Sequence, residues 1–138
     1  MLQRHKRKLL IEEIRTRTAP LGHMTLLESM ELLKDALVKA EDAIVCITFT
    51  AKWCGPWRMI KPDVLRLAHV YKEVKFYEID MDDNEEIAVA RSVTVAPTFQ
   101  FYKMGNMVAE FSEPNKLKLT ETLRRVRRIN ITPEPYDF

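Results

Sequence analysis

Residues 43–57, AIVCITFTAKWCGPW, decide the fold. Residues 43–50 are β-branched or apolar almost throughout, which marks a strand covered on both faces, as at the centre of a parallel sheet. From Trp57 onward Ile60, Val64, Leu67, Ala68 and Tyr71 recur at three- and four-residue spacing, so a helix follows, with Pro62 inside it as an expected kink. The strand therefore feeds a loop that opens a helix, and Cys54 falls at the helix N-terminus. A cysteine there gains thiolate stability from unpaired backbone amides and the helix dipole. Lys52 and Arg58 are expected to add positive potential, and Gly55-Pro56 to form a tight turn that exposes the sulfur. Cys46, inside the apolar strand, fits the other common fate of a free cysteine, an inert buried thiol.

Working outward, Ser29 with Leu33, Leu37 and Val38 starts the first amphipathic helix of the domain. Residues 74–80 (VKFYEID) read as a second strand, and 85–91 as a short helix opened by the acidic run Asp80, Asp82, Asp83. This β-α-β-α alternation predicts parallel strands with right-handed crossovers. Residues 98–103 and 107–111 are short strands around Met104-Gly105-Asn106, the turn signal of an antiparallel hairpin. Leu119, Leu123, Val126 and Ile129 then define a last amphipathic helix, whose other face carries Arg124, Arg125, Arg127 and Arg128. The fold class is thus α/β, a central mixed sheet with helices on its faces. A basic extension is expected over 1–21, the domain over 22–129, and an irregular tail over 130–138, where two prolines break any period.

The 138 residues suit one domain with its own core. With 46% hydrophobic and 30% charged residues the chain has the balance of a globular protein. No apolar run approaches the roughly 20 residues that span a bilayer, and no membrane partner is expected. Two cysteines make no disulfide framework and no zinc-ligand spacing, so no metal or other cofactor is expected and the compartment reads as reducing, hence cytoplasmic. The net charge of +2 hides an uneven distribution: Arg4, Lys6, Arg7, Lys8, Arg15 and Arg17 crowd the first twenty residues against Glu12 and Glu13. A solvated, partly helical arm is the plain expectation, with a nuclear or mitochondrial address, or contact with an acidic partner, as the alternatives. Nucleic acid is not expected, because phosphate binding calls for a larger one-sided positive surface. No motif specifies an oligomeric state.

The motif Ala51-Lys52-Trp53-Cys54-Gly55-Pro56 with Met59, Lys61 and Pro62, then Ala96-Pro97-Thr98-Phe99-Gln100-Phe101 and Lys103-x-Gly105, resembles the thioredoxin family, most closely the cytosolic thioredoxins of animals and fungi. The likeness runs from about residue 22 to 128 without an obvious insertion. It implies a thioredoxin fold, with a short first edge strand near residues 24–27 that periodicity alone does not reveal. It also implies that Pro97 follows a cis bond facing the nucleophile, that Ala96 offers its backbone to an extended substrate, and that Trp53 packs beside the site. Without the resemblance, Ala96-Pro97 reads as a turn.

The departures from the family bear on function. Trp57 stands where the family has its resolving cysteine, which releases substrate by attacking the mixed disulfide, and indole cannot do this. Thr48 stands where the family usually has a buried aspartate, and threonine is no general base at neutral pH. The two losses agree, since with no resolving thiol to deprotonate a buried carboxylate only costs desolvation energy. Ser112-Glu113-Pro114 replaces a loop that carries glycine near the substrate, altering the groove. The indole of Trp57 either packs into the core or forms a docking surface. Two functions follow: a monothiol redox protein in which Cys54 attacks disulfides or glutathionylated thiols and glutathione or another external thiol completes the cycle, or a binding module that recognises or covalently traps protein partners.

Overall fold

The computed structural model describes residues 2–130. Its elements are α1 (Leu2–Thr18), β1 (Thr25–Leu26), α2 (Met30–Lys39), β2 (Val45–Thr50), α3 (Gly55–Val70), β3 (Lys75–Asp80), α4 (Glu85–Ala90), β4 (Thr98–Lys103), β5 (Asn106–Phe111) and α5 (Lys116–Val126). The five strands form one mixed sheet in the order β1-β3-β2-β4-β5. Both β1 and β2 run parallel to β3, while β4 is antiparallel to β2 and to β5. The expected alternation and hairpin are therefore both present, as is the short edge strand.

All six residues of β2 are buried, because helices cover both faces of the sheet. Strand alternation sends Cys46 into a core with Phe99, Phe101, Phe111 and the inner faces of α3 and α5. Val45, Ile47 and Phe49 enter a second core with Leu33 and Leu37 of α2 and Ile87 of α4. Ser29 caps α2, its hydroxyl accepting from Leu32 N–H at 3.1 Å, and Asn115 caps α5 through Lys118 N–H at 2.9 Å. Met104 and Gly105, at φ 53° and 77°, supply the two left-handed residues of a tight hairpin turn.

Several local expectations need correction. Val38 is exposed, since Leu33 and Leu37, one turn apart, already define the inner face of α2. The acidic run does not open α4; the buried Asp80 folds the preceding turn, its Oδ1 accepting from the amides of Asp82 at 2.9 Å and Asp83 at 3.3 Å. Asn84 is the N-cap, and Glu85 and Glu86 complement the dipole. Tyr71 lies just past α3 as its C-cap, and α3 runs unbroken through Pro62. Ile129 likewise lies beyond α5, packed against its core.

In the basic N-terminal segment α1 is a single helix of 17 residues that packs along α3, with Thr16 fully buried. Gly22 then passes against α3, donating its amide to the Leu65 carbonyl at 2.7 Å. A Cβ there would stand 2.5 Å from His69 N, so only glycine permits this approach. The irregular tail expected over 130–138 lies, from residue 131 on, outside the described residues.

Candidate functional site around Cys54

Cys54 is the N-cap of α3, with extended backbone (φ −76°, ψ 112°), and its carbonyl accepts the Arg58 amide at 3.1 Å. Its side chain makes no cap bond and is left for other contacts. The half-buried sulfur lies 3.5 Å from the Ala96 carbonyl oxygen, to which the thiol donates, and the Ala96-Pro97 peptide is cis. Gly55 and Pro56 form the first turn of α3 rather than a separate tight turn. A proline so placed sacrifices no helical hydrogen bond. A Cβ on Gly55 would meet nothing within 4 Å, so exposure of the sulfur comes from the helix terminus itself.

The expected positive potential is largely engaged elsewhere. Lys52 reaches Asp83 at 3.0 Å and Asp80 at 3.9 Å, and the hydrogen bond to Asp83 raises the pKa of its ammonium. Arg58 Nε donates to the Lys52 carbonyl at 3.0 Å. Trp53, 73% exposed, is held by its indole N–H on Asp82 Oδ2 at 3.2 Å. Nothing in the sequence marks Asp82 as its partner, since it lies within the acidic run that reads as a helix opener. Thr98, also missed, donates to the Val95 carbonyl at 2.6 Å and meets Ser112 Oγ at 3.0 Å, tying the Ala96-Pro97 loop to the end of β5. Glu113 pairs instead with Lys118 at 2.8 Å. Exposed Met59 and Val95 add apolar surface, and Pro114 lines a cleft with Pro56, Met59 and Lys116.

Trp57 is the decisive side chain. It is 3% exposed and belongs to the core with Ile60, Val64, Cys46 and Phe99, so the indole is a packing group and not a docking surface. Lys61 Nζ lies 5.9 Å from the ring centroid and 3.9 Å from Glu78 Oε1. Thr48 is fully buried, and among the described residues its hydroxyl finds no hydrogen-bond partner of good geometry. Glu78, its register partner on β3, does not replace the missing acid, because Oε2 accepts from Thr50 at 2.8 Å and Oε1 faces Lys61. Ala96, Cys54 and Trp53 thus gather at one end of the sheet, whereas Trp57 of α3 and Thr48 of β2 are buried in the protein interior.

Burial pushes the Cys46 thiol far up, only partly opposed by the nearby Thr48 side chain. The folded chain keeps this proton while the unfolded chain releases it at about pH 8.5. Stability is therefore unaffected by Cys46 below that pH and falls above it, by up to about 1.4 kcal/mol per pH unit. Urea midpoints from pH 8 to 10 should decline more steeply for the natural chain than for Cys46→Ala, and equal slopes would contradict the burial.

A thioredoxin family model matches residues 28–125. Rat thioredoxin is 47% identical over 98 residues, covering 71% of this chain and 93% of that protein. Human thioredoxin is 43% identical over 100 residues, covering 72% and 95%. The X-ray structure of Fasciola hepatica thioredoxin superposes with a TM-score of 0.73 at 41% identity, covering 74% of this chain and 98% of that one. Strand order, helix placement and these matches agree: the chain belongs to the thioredoxin family and has its fold.

Proposed function

We propose that this protein is a monothiol member of its family, in which Cys54 exchanges with disulfides or glutathionylated thiols and an external thiol completes the cycle. The observation that carries this reading is the burial of Trp57 at the resolving position, three residues after a cysteine that retains its place at the helix terminus. Cys46 is no substitute. It lies at the far end of β2, and the stretch from Cys46 to Thr50 alone is about 13 Å long at ~3.3 Å per residue.

The Cys54 thiolate attacks the glutathione sulfur of a glutathionylated protein. The Cys54–glutathione disulfide forms, the protein–glutathione bond breaks, and the protein thiolate leaves and takes a proton from water. A second glutathione thiolate then attacks the glutathione sulfur on Cys54, releasing oxidised glutathione and regenerating the Cys54 thiolate. On a protein disulfide the same attack gives a mixed disulfide that the external thiol opens. Ala96, Pro97 and Ser112 border the path of an extended substrate, Glu113 adds charge at its edge, and Trp53 flanks the sulfur. Thr48 takes no part in proton transfer. Glutathione as the resolving thiol agrees with a reducing, cytoplasmic setting.

The exposed apolar rim of Trp53, Met59 and Val95 favours a second reading, in which the groove holds partners without turnover. Deglutathionylation of a peptide by glutathione separates the two. The natural chain should exceed Cys54→Ser by at least about 100-fold, the scale of a lost nucleophile. Equal rates would reject the redox reading. Partner capture unchanged in Cys54→Ser would then leave the interface alone as the function.

A further inference from the structure

We propose that the outward face of α1 is a docking surface for anionic lipid, holding the domain against a negatively charged bilayer. Thr16, fully buried where α1 packs along α3, marks the inner side of the helix and so the side that faces out. On that side Leu10, Ile11 and Ile14 stand between 43% and 55% exposed. Leu10 and Ile14 are one turn apart, as are Ile11 and Ile14, so the three form one stripe.

Arg4, Lys6, Arg7, Lys8, Arg15 and Arg17 are all exposed as well. At ~100° per residue, Lys6 and Arg17 fall on one flank of the stripe and Arg4, Lys8 and Arg15 on the other, with Arg7 within it. Against these six cations the sequence of α1 sets two carboxylates, Glu12 and Glu13, which leaves the helix strongly basic.

An aliphatic stripe flanked on both sides by cations is the pattern of a helix lying in a membrane interface, apolar side chains entering the acyl boundary while long basic stems reach the headgroups. Charge complementarity selects anionic lipid, which cytoplasmic leaflets carry. A nucleic acid would satisfy the cations but press phosphate against three aliphatic side chains. This departs from the expectation of no membrane partner, which rested on the absence of a spanning segment. No helix among the described residues is long and apolar enough to cross a membrane, and lying on a surface needs none.

The test is sedimentation of the full chain with phosphatidylcholine vesicles, with and without phosphatidylserine, at low and high salt. Binding should require phosphatidylserine and weaken with salt. Arg4→Gln with Arg15→Gln should lower partitioning about 25-fold, at about fivefold per charge. Leu10→Gln with Ile14→Gln leaves every charge in place and should lower it at least about tenfold. Circular dichroism checks that each variant keeps its helices, and because the two pairs are independent, a misfolded pair leaves the other to decide. Three outcomes overturn the proposal: no binding to phosphatidylserine vesicles at low salt, undiminished binding by the folded apolar variant, or tighter binding to a DNA duplex or polyglutamate than to the vesicles.

Discussion

Trp57→Ala is expected to lower the unfolding free energy by about 3–5 kcal/mol, the range for deleting a large buried aromatic and leaving a cavity. Domains of this kind are stable by only about 5–15 kcal/mol, so the variant should approach the limit of folding. The effect is large because the indole lies on the inner face of α3 with Ile60 and Val64, in the core that also holds Cys46 and Phe99 of the sheet. The packed helix and strands around it cannot collapse into the space without moving the sheet. Trp57→Phe, which refills most of the volume, should lose less than half as much. Urea denaturation decides the matter. A loss below about 1 kcal/mol for Trp57→Ala would place the indole on the surface, where truncation is nearly neutral.

Much of this architecture is legible in the sequence, and the parts that are not share a cause. A β-branched run covered on both faces, a helical apolar period and a glycine turn are local signals, and β2, α3 and the β4-β5 hairpin follow from them. Side chains whose role depends on a distant partner are not legible this way. Lys52 looks like a cation for Cys54 until Asp83, on another loop, engages it. The run Asp80, Asp82, Asp83 looks like a helix opener, yet Asp80 turns onto its own loop and Asp82 holds Trp53. The cis Ala96-Pro97 bond follows from the family resemblance alone. The hydroxyl of Thr98, which joins two loops near the site, carries no sequence signal, because threonine in a strand is ordinary. Trp57 reads either way from its motif, and only the packing of α3 on the sheet places it inside.

Trp57→Cys should change how a mixed disulfide at Cys54 is resolved. In the natural chain a mixed disulfide at Cys54 has no internal thiol to open it, so its decay should be proportional to added thiol and vanish without it. A thiol introduced at position 57 sits one helical turn from Cys54, the i, i+3 relation that brings side chains together. Its attack on the Cys54 sulfur would join the two by an internal disulfide and release the partner as a thiolate. Well-oriented intramolecular reactions reach effective molarities of about 10⁵–10⁸ M; the buried, protonated setting of position 57 holds the gain far below that. An acceleration of at least about 100-fold at millimolar external thiol is still expected. Thr48 bears on that limit, since it puts no carboxylate at that position to take the new thiol's proton, and its register partner Glu78 is held by Thr50 and Lys61. Thr48→Asp added to Trp57→Cys should therefore raise the release rate further, most clearly below the pKa of the new thiol. Stopped-flow release of a fluorescent peptide, with and without millimolar external thiol, measures both effects. If the double variant releases its partner no faster than the natural chain, the groove itself prevents resolution, and the loss of the resolving thiol does not account for the difference.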